Sequence, residues 1–498
     1  MKTIMGVDLG TQSLKVLVYD ADSKASVFSA SSAYDLITRD DGSAEQDPQW
    51  WLDAFHTCLA ECPADIKQSI VALGVSGQQH GFVALDKGGQ VLVPAKLWCD
   101  TSTSTQAESI ISDAGGRSRC RELSGNVLSV GFTASKIRWL KEAEPKKYAA
   151  LDLILLPHDY LNYYLTGKAC MEHGDASGTG LLDVRQRSWS RAMLDALDSE
   201  RDLRPLLPEL IKAEQSCGSI RPELAEQLGL NKQLIVSAGG GDNMMAAIGT
   251  GNVCEGRLSA SMGTSGTLFA YSSKPVIDET DELAAFCSSD GAWLPLLCTM
   301  NCTVATEQMK QLFDCTSGDL EQLAATVAIG ADGVLTLPYY GGERSPNLPH
   351  AKALIYGLNH NNTSQAHMIR SAMEAAAFAL KSGLQAFERM GMHFNEVRLT
   401  GGGSKNTLWR QIVADVFALP VTVLNEEENA ALGAVLQALW CFEHAQGRPI
   451  KLQTLADEHI SENPSKACEP KPDAVKAYAE VYQSYQALVA HMAPLFSA

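Results

Sequence analysis

Two stretches far apart in this chain are built alike, and together they limit what it can fold into. Residues 3–7, Thr-Ile-Met-Gly-Val, form an apolar strand-forming run that breaks at Asp8-Leu9-Gly10-Thr11-Gln12-Ser13 and resumes over residues 14–20. That is the pattern of a hairpin with glycine at its tip. Residues 257–271 repeat it, with Gly263-Thr264-Ser265-Gly266 as the turn. One such unit opening each of two halves of similar length points to a duplicated fold whose turns can face each other across a cleft. Gly-Thr turns also recur by chance, so the pair alone leaves both readings open. At 498 residues the chain is too long for one core, and two large domains are expected. The division falls near Gly249 to Glu255, giving residues 1–249 and 250–498.

Between these hairpins strands and helices alternate, which argues for α/β layers. Strands are expected at 70–75, 81–85, 181–184 and 397–400, and helices at 47–60, 136–144, 159–164 and 408–417. Residues 174–180 are expected to be a turn-rich loop. The helical run 428–439 is rich in small residues and suits close approach to a neighbour, and an amphipathic helix is expected at 474–492.

A net charge of −18 and a pI near 5.1 argue against a nucleic-acid surface, and no Lys/Arg run offsets them. An anionic small ligand can still be held by local backbone N–H groups or a metal ion. Thirteen cysteines, an odd number scattered from Cys58 to Cys468, do not make a disulfide framework and fit a reducing cytoplasm. Cys58/Cys62 and Cys298/Cys302 lack the second pair a zinc site needs and read as buried apolar residues. The apolar segment before Asp8 is too short for a signal-peptide core, and no apolar run is long enough to span a bilayer, so no membrane is expected.

The chemistry centres on Ser237-Ala238-Gly239-Gly240-Gly241-Asp242-Asn243. An apolar lead-in over 234–236 runs into three glycines and then a helical pattern, which sets Asp242 where a strand turns into a helix. Glycines let another body come close to the backbone, and an Asp there can accept a proton from what arrives. Asp is equally a favoured N-cap, and this stretch alone does not separate the two. A helix N-terminus is also expected to lower the pKa of Asp242. No classical phosphate loop is present, since Gly167-Lys168 is followed by Ala169. Phosphate contacts must come from the hairpin turns.

Several motifs arrive in an order that resembles the FGGY carbohydrate kinases of the actin-like ATPase superfamily. They are Asp8-Leu9-Gly10-Thr11, Ser76-Gly77-Gln78-Gln79-His80-Gly81, Trp98-Cys99-Asp100, and the signature-like 131–140. Gly239 to Asn243, Gly263 to Thr267, 357–374 and Gly401-Gly402-Gly403 follow. The resemblance runs from Met1 to about Leu439. It departs at Ala143, where the family has a polar residue, and at Gln79, where many bacterial members acting on D-xylulose carry Met. An Arg often found downstream of Asp100 is also absent.

The resemblance implies two ribonuclease-H-like domains flanking a nucleotide and sugar cleft, the first binding sugar and the second the adenine nucleotide. The implied activity is ATP-dependent phosphorylation of D-xylulose at its 5-hydroxyl. Other ketoses or polyols such as ribulose or fuculose are the nearest rivals, a non-catalytic actin-like sugar sensor a more distant one, and a homodimer stays open. By resemblance Asp242 and Asp8 are the catalytic pair, Asp242 as general base and Asp8 holding Mg²⁺ through water. Gln79, His80, Trp98, Asp100, Asp242 and Asn243 would meet the sugar. Thr11, Gln12, Ser13, Gly263, Thr264 and Ser265 would meet the phosphates, and Gly402, Gly403 and Asn406 the adenosine.

Overall fold

The computed structural model of the chain describes residues 2–496. Its two main sheets share one plan. In the first half Thr3–Leu9 and Ser13–Asp20 form the expected antiparallel hairpin, Ala25–Ala33 adds outside it, and Thr3–Leu9 runs parallel to Ile70–Gly77, which runs parallel to Ile235–Ser237. In the second half Arg257–Met262 and Gly266–Phe269 form the hairpin, Leu296–Thr299 adds outside, and Arg257–Met262 runs parallel to Glu396–Thr400, then Val421–Thr422. Leaving aside the extra edge strand Ser216–Ser219 and the two-residue strand Gly240–Gly241 beside Ile70–Gly77, both sheets are ordered third, second, first, fourth, fifth along the chain. The duplication seen in the two turns is therefore a property of the whole fold.

Burial follows the two-residue period of the strands. Met5, Val7, Leu9, Val16 and Val18 face Trp51 and Phe55 of the helix Pro48–Glu61. The intervening Ile4 and Leu17, with Ala72 of the neighbouring strand, face Ala431, Ala434 and Val435 of the helix Asn429–Ala445. A central strand covered on both faces must be apolar along its length, and Thr3–Leu9 is buried at every position except Asp8.

The small-residue helix earns its composition here. A Cβ on Gly6 would stand 2.1 Å from the Ala431 carbonyl oxygen, and one on Gly74 2.2 Å from that of Ala434. Gly433 and Gly249 face each other's helices, each 1.8 Å from a backbone oxygen by the same measure. A helix from late in the chain is thus laid on the first sheet and against the helix Asp242–Gly249. The second half also sends the segment 284–296 back: Ala285 exchanges hydrogen bonds with the Asn126 side chain, and Cys287 N–H donates to Ser177 Oγ at 3.0 Å.

One expected loop is corrected. Residues 174–180 begin with a short helix, His173–Ser177, because the buried Glu172 carboxylate accepts the N–H groups of Gly174 and Asp175 and so caps it. Cys58, Cys62 and Cys302 are buried as expected, whereas Cys298 is only partly buried, and among the described residues every thiol is free of a disulfide. Among the described residues no helix is long and apolar enough to cross a membrane.

Candidate active site

The first hairpin turn is a braced concavity. Gly10 N–H donates to the Ser13 carbonyl at 3.1 Å, and the Gly10 carbonyl accepts from the Tyr34 hydroxyl. Thr11 Oγ1 donates to Gln78 Oε1 at 3.2 Å and accepts the Trp98 indole N–H at 3.0 Å, while Gln46 Nε2 donates to the Thr11 carbonyl. Gln12 is exposed. The second turn repeats this, with Gly263 N–H on the Ser265 carbonyl and the Gly263 and Thr264 carbonyls accepting from Thr303 and Cys302. Among the described residues the N–H groups of Thr11, Gln12, Thr264 and Ser265 have no internal partner. Both turns thus carry donors fit for phosphate oxygens.

Asp8 ends the first strand beside this turn. One of its oxygens accepts from Ser76 Oγ at 2.8 Å, and Lys15, opposite it in register, pairs with Glu428 at 2.6 Å. Burial raises the Asp8 pKa, Glu428 adds to the rise, and Ser76 and Lys15 oppose it.

His80 holds a left-handed backbone, φ 65°, a strained geometry that clusters at functional sites. Its Nδ1 lies 2.7 Å from the Gly178 carbonyl. A carbonyl only accepts, so the proton sits on Nδ1 and Nε2 is left as an acceptor. Burial, helped by Lys136, pushes the His80 pKa down to about 3, so the ring is neutral. The Phe132 ring lies tilted against it at 4.8 Å, and that of Phe286 of the second half at 5.8 Å. Thr133 Oγ1 bonds the His80 carbonyl, and a Cβ on Gly131 would meet the Trp98 carbonyl at 2.8 Å. The signature-like segment therefore braces the His80 and Trp98 loops. Phe132 was legible only as a letter of that motif, and Phe286 carried no signal.

The three glycines before Asp242 are packed by the protein itself. A Cβ on Gly239 would meet the Val75 carbonyl at 2.5 Å, on Gly240 Ser289 Oγ at 2.3 Å, and on Gly241 Gln79 Cγ at 2.6 Å. The body that comes close there is not a ligand. Gly241 takes the cap position, and the helix starts at Asp242 without a side-chain cap. Asp242 Oδ1 accepts from Asn243 N at 2.8 Å and Nδ2 at 3.1 Å, and among the described residues Oδ2 has no donor. The capping alternative is not what the structure contains. The expected pKa also reverses: burial first, then Asp8, pushes Asp242 up to about 7, and the Asn243 N–H offsets only part of this. Asn243 Nδ2 also donates to Gln79 Oε1 at 2.9 Å. Asp242, Asn243, Gln79, Asp8 and the Thr11 turn with Trp98 thus form one neighbourhood. Trp98 is 39% exposed and so is not core.

Asp100 is not at its surface. It is fully buried, and its carboxylate accepts from Ala44 N, Lys96 Nζ, Ser102 N and Ser102 Oγ. With each oxygen doubly engaged it holds the 96–102 loop and has no lone pair to offer a sugar. The adenosine candidates divide. Gly402 is exposed with open space where a Cβ would stand, whereas that position on Gly403 is filled by Met262 at 2.8 Å, and Asn406 caps the helix Thr407–Phe417 through Trp409 N.

Models of the FGGY family of carbohydrate kinases match this chain almost throughout, the N-terminal domain over residues 3–249 and the C-terminal domain over 258–442. A xylulose kinase of Haemophilus influenzae is 43% identical over 99% of this chain and 100% of its own length. A xyloylose kinase from Brucella ovis superposes with a TM-score of 0.91 at 30% identity, covering 99% of this chain and 100% of that one. A gluconate kinase from Lactobacillus acidophilus reaches the same TM-score at 23% identity, over 100% and 99%, so the fold does not choose the sugar. Two matched domains, a repeated sheet with paired glycine turns, and an acid beside them agree: the chain belongs to the FGGY family of carbohydrate kinases.

Proposed function

We propose that this chain transfers the γ-phosphoryl group of ATP to the 5-hydroxyl of D-xylulose, yielding D-xylulose 5-phosphate and ADP in the cytoplasm. The observation that carries the reading is the Asp242 carboxylate, whose Oδ2 is uncommitted, next to Asp8 and linked through Asn243 to Gln79. The choice of D-xylulose is supported by the full-length likeness to a xylulose kinase.

The hydroxyl oxygen bonds to the γ-phosphorus while the bond from phosphorus to the ADP oxygen breaks, and the hydroxyl proton passes to Asp242. Such a loose transition state asks the base mainly to orient the nucleophile. His80 Nε2 accepts a sugar hydroxyl, and the N–H groups of the Thr11 and Thr264 turns grip phosphate oxygens. Among the described residues no cluster of three or more His, Cys, Asp or Glu forms a metal cage. Asp8 fits a Mg²⁺ that arrives with the nucleotide, because among the described residues one of its oxygens has no donor and burial with a nearby Glu428 disfavours its charge; such ions take one or two carboxylates and keep water. When bound, the ion neutralises charge on the phosphates.

Coupled ADP detection over a panel of ketoses and polyols checks the substrate. D-xylulose is expected to give the highest kcat/KM, and a clear preference for ribulose, fuculose or a polyol replaces it.

A further inference from the structure

Behind the site, and used in none of the steps above, a histidine lies between two carboxylates. His158 and Asp159 stand in the first turn of the helix Pro157–Thr166, Asp175 lies in His173–Ser177, and all three side chains are enclosed. His158 Nδ1 is 2.6 Å from Asp175 Oδ2, and Nε2 is 3.0 Å from Asp159 Oδ1. Nδ1 is hydrogen-bonded to Asp175, whereas Nε2 and Asp159 Oδ1 stand close without hydrogen-bond alignment, and the two acidic neighbours favour the protonated, cationic form of the ring. Burial alone would strip that proton, but Asp159 and Asp175 more than reverse it and hold the pKa well above its usual value. Glycines make room for the ring: a Cβ on Gly77 would stand 2.7 Å from His158 Cβ, and one on Gly239 3.2 Å from its Cδ2.

A buried ion cluster is a poor way to gain stability, since apolar packing often does as well. This one leads somewhere. Asp175 Oδ1 and Gln79 Nε2 both lack a well-aligned partner, and both border the place where a Gly241 Cβ would stand, Asp175 Oδ1 at 3.0 Å and Gln79 Cγ at 2.6 Å. The far end of the same amide, Gln79 Oε1, accepts from Asn243 Nδ2, which also donates to Asp242. Hydrogen bonds link His158 to Asp175 and Gln79 through Asn243 to Asp242, and the Gln79 side chain acts on the Asp175 carboxyl between them without an aligned hydrogen bond, a polar contact that a methionine in place of Gln79 could not make.

We propose that Asp159, His158 and Asp175 are positioning residues that fix the Asp242 carboxylate through Gln79 and Asn243 and keep a negative charge beside it. The proposal rests on Asp242 being the base. Asp242 is faced by Asp8 from the first strand and by Asp175, and Asp8 in turn by Lys15 and Glu428. His158 is faced by Asp159, Asp175 and Glu172. Of these, Asp175 is the charge next to Asp242 that can be removed without touching the nucleotide turns.

The test is the Asp175→Asn enzyme, assayed against pH. Its kcat is expected to fall about tenfold or more, as loss of alignment does, with the KM for ATP within about threefold. The acidic limb of its kcat/KM profile moves to lower pH, because a repelling charge beside Asp242 is gone. Asp159→Asn, which can still accept the Leu156 N–H now bonded at 3.0 Å, guards against a folding failure and is expected to shift the same way by less. A cluster that only supports the fold would lower the Tm of both and leave the limb in place. Folded variants with wild-type kcat and an unmoved limb overturn the proposal. Asp242→Asn separates the two layers: an active Asp242→Asn removes the base assignment itself, whereas an inactive one beside an unaffected Asp175→Asn removes only the positioning role.

Discussion

Asp242 works against its surroundings. Burial and its acidic neighbours oppose its charge and push the pKa up to about 7, and as the proposed base it must be ionised to take a proton. The kcat/KM for sugar should therefore climb from acid pH and level off above about pH 7; a profile flat down to pH 5 would contradict this. The same shift has a stability consequence. A carboxyl whose folded pKa exceeds its unfolded value loses stability as pH rises from the unfolded towards the folded pKa. Asp242→Asn should match wild type below about pH 4 and exceed it above pH 7, by on the order of 1–2 kcal/mol after allowance for solvent at a half-buried site. Thermal melts at the two pH values read this directly. Asp100 makes the opposite case. Asp100→Asn breaks a buried pair with Lys96, 3.0 Å apart, and should cost about 3 kcal/mol while leaving the KM for sugar within about twofold. Motif letters alone placed Asp100 with the sugar, because a motif does not say which way a carboxylate faces.

At the scale of elements, the helix Asn429–Ala445 joins the halves by lying directly on backbone. Gly433→Val drives a branched side chain into the Met245 carbonyl, 1.8 Å from a Cβ there, and should destabilise by about 3 kcal/mol in urea unfolding. A variant as stable as wild type would show that the helix can lift off at no cost. The composition of this helix announced close contact, but not its partner, since local pattern carries no information on which distant strand presents Gly6 and Gly74. Strands and long helices were legible because their periodicities are local. The His173–Ser177 helix was not, because its cap is a buried Glu172 and its sequence is a run of turn formers.

For the whole molecule, the two Gly-Thr turns proved to be the visible tips of two sheets with one strand order. The turn residues, Asp8, Gln79, His80 and Asp242 could be proposed from sequence because each sits in a motif of fixed spacing. The His158 cluster could not, since Asp159 looked like any helix residue and Asp175 like part of a loop. With the segment 284–296 and the helix Asn429–Ala445 reaching back across the halves, sugar and nucleotide together should draw the molecule closed and expel water. The radius of gyration in solution scattering should fall on adding D-xylulose with a non-hydrolysable ATP analogue, and an unchanged value would argue against closure. The central claim is that one carboxylate activates the sugar hydroxyl, and the turnover number of Asp242→Asn, measured with saturating D-xylulose and ATP on protein shown to bind nucleotide normally, tests it most directly. The account predicts a loss of at least about a thousandfold; a kcat within tenfold of wild type would contradict it.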